Sequence, residues 1–431
     1  LIVFLLITYY FLLTIYPMQF LQNLPLDLDL LPQPVYAVGG AVRDALLGRV
    51  RAELDLDLVL PTAAVATAKT IASHYRAGFV LLDAEFQIAR VVFPGMTLDL
   101  AQQMGDSIEE DLRRRDYTIN AIAYDLHNHT IIDPLNGSQD VRERLIQMVS
   151  VQNLKDDPLR LLRAYRQAAQ LNFTIEGETH RTIQQLAPLI TQVSAERVLA
   201  ELRYLLQTPH SSEWLTAAMA DGVLSQWLTA PMTADLRDRL NTIDRVVGQI
   251  RATYPPLAAL LTAPLRDTIP TSLEGICKLV QLLPPDATLA EAQMLHLTFS
   301  TSEIRAVTTV IKYLPPLLQG EMSLENEYFW FQAVGKIFPA LVVSALSQGV
   351  AIEKIARPID RYLDPVNQVA HPTPLVNGKD LMKALKMPPS PAIGQLLTEI
   401  QLARIAGKVS TPAAAIEFAR SRSVALGESL S

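Results

Sequence analysis

Cysteine is nearly absent: Cys277 is the single one in 431 residues. That excludes a disulfide framework and any Cys-rich zinc site, and it suits a reducing cytoplasm. Aromatic residues make up only 6%, while Leu and Ala dominate, so helix should outweigh sheet over most of the chain. Positive charge is in deficit: 37 Lys and Arg face 44 Asp and Glu, a formal net charge of −7. Steering of the whole molecule toward a polyanion is therefore not predicted, and nucleic-acid binding would have to rest on local basic patches. The seven histidines are scattered and form no phosphohydrolase His-Asp motif. With 49% hydrophobic and 19% charged residues, the chain is neither disordered nor a coiled coil.

Charge is missing altogether from the first stretch, LIVFLLITYYFLLTIYP, Leu1 to Pro17. Its length approaches the roughly 20 apolar residues of a membrane span. It lacks the basic n-region and small-residue cleavage site of a signal peptide. The first methionine is Met18. We therefore expect residues 1–17 to lie outside the native protein, with a membrane anchor as the alternative, and expect no membrane partner.

From Val35 the sequence alternates strands and helices. VYAVGG ends a strand, AVRDALLG opens a helix, and LDLDLVL is a strand. FVLLD, QIARVVF and TLDLA are further short strands. TINAIAYD reads as helix, and IIDPLNG as a strand end with a turn. After Asp156 almost no strand signal remains. Leu- and Ala-rich helices follow one another, punctuated by TYPPL, LLPPDA, YLPPLL and RPIDRYLDP. The expected division is a mixed α/β head at 18–150, a helical neck at 151–205, a helical body at 206–365 and a helical tail at 366–431.

Asp55 and Asp57 stand two apart in LDLDLV, so on a strand they share a face. Two carboxylates held together on an apolar strand repel, and a divalent cation with hard oxygen ligands, Mg²⁺, resolves that. Asp27 and Asp29 repeat the pattern, but inside a Pro-flanked stretch that reads as a surface turn. Gly39-Gly40 lies between strand and helix, where backbone N–H groups can approach a phosphate, and Arg43 can add a charge-assisted contact. Read alone, the two glycines make a tight turn. Asp99 is a third candidate carboxylate. Arg113, Arg114 and Arg115 form either a solvated basic face or a counter-charge for triphosphate or RNA. Asp116 and Asn120, four apart on an expected helix, would share a face and could bind a ribose. Asp133 and Asn136-Gly137 read as architectural turn residues.

Asp157 and Arg160 are neighbours at a helix start. A carboxylate accepts and a guanidinium donates. Such a pair matches the amino-plus-bare-nitrogen edge shared by cytosine and adenine and rejects uracil and guanine. An N-cap with an intrahelical ion pair is the alternative.

In this order, GGAVRD with LDLDLV, EEDLRRRDYTINAIAYD, IIDPLNG, DDPLRLLRAYRQAAQL and SAERVLAEL resemble the bacterial class II CCA-adding tRNA nucleotidyltransferase and poly(A) polymerase family. The resemblance is strong over about residues 35–205. The tail, PLVNGKDLMKAL with PAIGQLLTEIQLARIAGK, resembles the tRNA-binding end of the CCA-adding branch. The resemblance implies an elongated head–neck–body–tail chain with a sheet only in the head, and transfer of nucleotides from CTP and ATP to tRNA at a two-metal Mg²⁺ site. It implies metal binding and catalysis by Asp55 and Asp57. It implies nucleotide contacts from Gly39, Gly40, Arg43, Arg114, Asp116, Asn120, Asp157, Arg160, Arg163 and Arg166. Lys379, Lys383, Lys386, Arg404 and Lys408 are the tail's candidates for RNA binding.

Full CCA-adding relatives carry a longer, polar, mobile loop between the positions of Asp99 and Glu109, associated with the switch from C to A. Here only LAQQMGDSIE stands there. This resembles CC-adding members, which leave the last A to a separate A-adding enzyme. The rival readings are a poly(A) polymerase and a catalytically silent RNA-binding relative.

Overall fold

The computed structural model describes residue 21 and residues 24–49, 54–231, 233–266, 269–320 and 322–428. The apolar segment 1–17 lies outside them. Contacts divide the chain into two units. The first runs to Pro209 and takes in Ala217–Gln226; the second holds His210–Thr216 and everything from Trp227 on.

The first unit begins with β1 (Tyr36–Val38), α1 (Gly40–Leu46), β2 (Leu54–Leu60), α2 (Ala64–Tyr75), β3 (Gly78–Asp83), β4 (Ile88–Phe93) and β5 (Met96–Gln102). Helix α3 (Ile108–Arg113), β6 (Ala123–Asp125), β7 (Thr130–Ile132) and α4 (Gly137–Glu143) follow. The strands form one mixed sheet in the order β3-β4-β5-β2-β1-β6-β7. Only the central β2–β5 pair is parallel.

Alternation along β2 sorts its residues by face. Leu56, Leu58 and Leu60 are fully buried, as are Leu98 and Leu100 of β5. Helix α2 covers the neighbouring strands with Ala64, Ala68, Ile71 and Ala72. The other face of β2 carries Asp55, Asp57 and Val59. Val59 packs with Val38, Ile108, Leu112, Ala121 and Ala123, which leaves the carboxylates at the end of the strand that this small cluster does not cover.

The helix expected over TINAIAYD is a correction. Thr118–Asn120 form one 3₁₀ turn, and Ala123–Asp125 are β6, paired with β1. Ile122, Ala123 and Tyr124 are all buried. Pairing with an existing strand outweighs the local helix preference of Ala121 and Ala123 there.

The neck follows as β8 (Leu145–Ile146), α5 (Val151–Asp156), α6 (Leu159–Leu171), β9 (Thr174–Ile175), α7 (Gly177–Leu186) and α8 (Ala195–Gln207). The two-residue β8–β9 ladder is strand the sequence did not announce.

The second unit is mostly helical. It contains α9 (Ala234–Thr253), a small hairpin of β10 (Pro264–Arg266) and β11 (Ile269–Ser272), and α10 (Thr301–Gln319). Further on come α11 (Leu324–Val334), α12 (Phe338–Ser347), α13 (Ile352–Leu363), α14 (Gly378–Leu385), α15 (Pro391–Ile405) and α16 (Pro412–Glu428). The β10–β11 hairpin also departs from the expected absence of strand. Pro315 and Pro316 lie inside α10 and Pro358 inside α13, so YLPPLL is not a break, and in RPIDRYLDP the helix ends only at Leu363, before Asp364-Pro365. Buried Leu314, Leu317, Ile355 and Ile359 flank the internal prolines, and that burial offsets the lost backbone hydrogen bonds. Leu324–Ser347 is long and apolar enough to cross a membrane, yet 72% of its apolar 18-residue window is buried. All ten residues of α12 are core, which accounts for its apolarity.

Candidate active site

Register builds the site. Across the sheet, Asp57 lies opposite Val38 of β1 and Asp99 of β5. Asp55 lies opposite Thr97, whose hydroxyl donates to the Asp55 carboxylate. Burial and the charge of Asp55 push the Asp57 carboxyl up to about 6, against the pull of Arg115 and Arg163. Asp57 thus has less positive charge around it than its burial calls for.

A cation fits this deficit. Among the described residues no group of three or more His, Cys, Asp or Glu is arranged to hold a metal. Mg²⁺ needs no such cage. It takes one or two protein carboxylates and completes its shell with water and substrate phosphates.

Beside the pair, β1 turns into α1 at Gly39, which has φ of 70°. A Cβ there would stand 3.4 Å from Asp57 Oδ2 and 3.5 Å from Arg115 Nη1. A side chain is disfavoured by that backbone conformation, while those distances are ordinary contacts. Of the three arginines, Arg115 is the one at this turn, tied to Asp111 at 3.0 Å. Arg113 and Arg114 are exposed.

A buried polar network links head to neck. Arg43 donates to Asn120 Oδ1 and to Asp44. Asn120 Nδ2 donates to Asp116 Oδ1 at 3.0 Å and to Gln167 Oε1 at 2.9 Å. Arg163 lies 3.4 Å from Asp116 Oδ2. Burial pushes the Asp116 carboxyl up, but Arg163 and hydrogen bonds from Asn120 and the Tyr117 N–H outweigh it and hold it below the usual range. Arg166 pairs with Glu201, which also faces Arg163 at 3.8 Å. Asn153 Nδ2 donates to the carbonyls of Arg113 and Arg115, fastening the arginine run to α5.

The family models match most of the described chain. The poly(A) polymerase head domain matches residues 35–105 and 97–147. The RNA and SrmB-binding site of polymerase A matches 172–236, and tRNA nucleotidyltransferase domain 2 matches 268–419. A CC-adding tRNA nucleotidyltransferase of Synechocystis sp. is 44% identical over 403 residues, 93% of this chain and 96% of its own. The chain belongs to the tRNA nucleotidyltransferase and poly(A) polymerase family. An A-adding tRNA nucleotidyltransferase of Deinococcus radiodurans is 30% identical over 90% of this chain and 95% of its own. The fold is similar to that of a Thermotoga maritima CCA-adding enzyme complexed with tRNA. There the TM-score is 0.66 at 21% identity, over 90% of this chain and 91% of that one.

Within this family member the structure re-sorts several residues. Asp157 and Arg160 are not an ion pair with each other. Asp157 Oδ2 accepts from Arg197 at 2.9 Å and Oδ1 from the Leu159 N–H. Arg160 donates to the carbonyls of Arg114 and Asn153. A fork of this length reaches backbone acceptors across the α5–α6 turn as readily as a carboxylate three residues away. Arg43 is buried rather than open to solvent, because Asn120 and Asp44 hold it. Asp116 and Asn120 do meet, but through the 3₁₀ turn, not an α-helix. Asp99 carries its own cation: Arg90 bonds it through both oxygens at 2.7 Å. Asp27 caps a 3₁₀ turn by accepting from the Asp29 N–H, and Asp133 accepts from the Gly137 and Ser138 N–H groups. Both are turn residues, as read.

Lys379, Lys383, Lys386 and Lys408 are exposed, whereas Arg404 donates to the Thr373 carbonyl. Sequence reasoning passed over Arg115 as an individual, and Arg90, Asn153, Gln167 and Glu201 altogether. Only register and long-range packing single them out.

Proposed function

We propose that this chain transfers cytidylate from CTP to the 3′ end of tRNA, adding two C residues without a nucleic-acid template. The observation that carries the reading is the Asp55–Asp57 pair set against the Gly39 turn and Arg115. The RNA 3′-hydroxyl attacks the α-phosphorus, and pyrophosphate leaves. Asp55 and Asp57 would hold Mg²⁺, which when bound supplies charge stabilisation and lowers the pKa of the attacking hydroxyl. Gly39, Gly40 and Arg115 cradle the triphosphate from the α1 side, with Arg114 at the rim. Arg43, Asn120 and Asp116 form the floor beneath the sugar. Asp157, steadied by Arg197, and Arg160 read the base edge, and Arg163 and Arg166 line that pocket. Charge and position do most of the work.

The short connection after β5 favours stopping at C. Gln103–Ser107 are all that join β5 to α3. They are bonded down by Met104 N–H to Asp111 and Asp106 N–H to Glu110. A Cβ at Gly105 would stand 2.4 Å from Glu110 Oε2. Such a segment is too short and too fastened to act as a lid that reshapes the pocket for adenine. A cytoplasmic enzyme that hands its product to a separate A-adding enzyme follows. The head, neck, body and tail at 18–150, 151–205, 206–365 and 366–431 divide these tasks, with the tail holding tRNA. The second reading is A addition, favoured by the Deinococcus radiodurans relative and by a base edge that adenine shares. Incubation of the purified protein with Mg²⁺, tRNA lacking its 3′ CCA, and each nucleoside triphosphate singly tests both. Two additions from CTP and none from ATP are expected, with no third addition when both are present. Efficient completion of CCA by this protein alone overturns the CC-only reading.

A further inference from the structure

The sheet continues past the carboxylates in two rows. One runs Asp57, Asp99, Arg90, Val80; the other runs Asp55, Thr97, Val92, Gly78. Residues in register across adjacent strands project from the same face, so both rows lie on the face of the catalytic pair. With strands about 4.8 Å apart, Arg90 stands about 10 Å from Asp57, backbone to backbone.

Three features of this strip call for explanation. Arg90 binds Asp99 side-on, through Nε and Nη2, so Nη1 is not used in that pairing and the side chain remains 38% exposed. Val80 and Val92 are 46% and 41% exposed, so the outer end of the sheet, edge strand β3 and its neighbour β4, presents uncovered apolar side chains on this face. Gly78 beside Val92 has no side chain to provide a cover.

Direction decides what belongs there. In-line displacement needs the attacking oxygen and the leaving group on opposite sides of the α-phosphorus. Gly39, Gly40 and Arg115 occupy the β1 side of Asp57. The acceptor must therefore approach from the β5–β4 side, where Arg90 is the cation in the row and Val80 and Val92 are the open apolar surface. We propose that Arg90 holds the backbone phosphate of the acceptor RNA's terminal nucleotide, and that Val80 and Val92 lie beneath its base. This rests on the nucleotidyl-transfer reading above and adds the acceptor's seat to it. Asp99 then acts as a positioning residue. It locks the guanidinium plane so that its outer edge faces the incoming strand.

The test is a double cycle between Arg90 and the phosphate it would touch. The acceptor is tRNA lacking CCA, made either with a normal last internucleotide linkage or with an uncharged methylphosphonate there. In the wild-type enzyme the neutral linkage should lower kcat/KM for tRNA by about 10–100-fold, the size expected of a charge-assisted positioning interaction. Arg90→Ala should lose a similar factor on the normal acceptor and lose little more on the neutral one. The KM for CTP should stay within about twofold. Arg90→Lys, which keeps charge without the fork, should fall between, and it carries the same cycle if the alanine variant does not fold. A methylphosphonate penalty that persists undiminished in both variants overturns the proposal, as does a loss confined to the KM for CTP. Failure of the wild-type enzyme to incorporate CTP at all would instead refute the functional reading itself.

Discussion

At the scale of single residues, the site turns on which side chains reach the carboxylate pair. Asp55→Asn or Asp57→Asn should lower C incorporation at least about 1,000-fold while tRNA binding persists, since the variants lose the carboxylates proposed to hold the cation and no group proposed to bind RNA. Single-turnover incorporation and filter binding report the two separately. Asp27→Asn and Asp29→Asn should remain near wild type, because that pair only caps a turn. The arginine run gives a sharper contrast. Arg115 neighbours Gly39 and Asp57, whereas Arg114 is exposed. Arg115→Ala should therefore cost about 10–100-fold in kcat/KM for CTP, and Arg114→Ala several-fold less. Equal losses would place the triphosphate elsewhere. Asp157→Ala should relax preference for CTP over UTP in single-nucleotide assays, because it removes the proposed acceptor for the cytosine amino group and the proposed repulsion of the uracil carbonyl.

At the scale of elements, two junctions hold the unit that carries the site. Helix α4 starts at Gly137, where a Cβ would stand 2.1 Å from the Thr118 carbonyl oxygen. Gly137→Ala must push α4 away from the 3₁₀ turn that carries Asn120. A destabilisation of about 3 kcal/mol is expected, a Tm drop of roughly 6–12 °C for a unit of this size. The second junction is Asp221, which accepts from Tyr165 Oη at 2.7 Å, His180 Nε2 at 2.6 Å and Gln184 Nε2 at 2.7 Å. Burial pushes its carboxyl up, but those hydrogen bonds outweigh burial and hold it below the usual range. The folded state therefore binds the Asp221 proton less readily than the unfolded chain does. Its stabilisation is complete above the unfolded pKa of about 4 and is lost as pH falls through the lower folded value. Asp221→Asn should cost about 1–3 kcal/mol at pH 7, and the gap between variant and wild type should close below about pH 4. Denaturant melts at both pH values check this; a gap of constant size would show that the carboxylate charge contributes nothing.

At the scale of the whole molecule, the carboxylate pair and the tail lysines fall on different units. The carboxylates, the glycine turn and the neck belong to the first unit, the tail lysines to the second. With a net charge of −7, tRNA affinity must come from such local patches. Replacing Lys379, Lys383 and Lys386 together by Glu should weaken tRNA binding and reduce the slope of log K against log salt by about 0.7–0.9 for each phosphate no longer neutralised. Affinity for CTP should not change. An unaltered salt slope would remove these lysines from the RNA interface.

What the sequence alone determined is what local spacing can carry. A two-residue period puts Asp55 and Asp57 on one strand face wherever the strand lies. The order of motifs named the family, and counting residues between Asp99 and Glu109 exposed the missing loop. The proportions of the fold, a sheet-bearing head and then helices, followed from the change in pattern after Asp156. Tertiary structure decided the rest, because register and burial depend on partners far along the chain. Pairing with β1 made β6 a strand where Ala121 and Ala123 suggested helix. Packing across the head chose Arg115 rather than Arg114 to face the carboxylates. The β4–β5 register gave Asp99 to Arg90, a residue that stands in an unremarkable strand and carries no motif. Arg197 took Asp157 from Arg160 because α8, a helix far along the chain, packs beside α6. A sequence states which groups lie near one another along the chain. Which of two equal neighbours turns inward is settled only when distant segments compete for the same space.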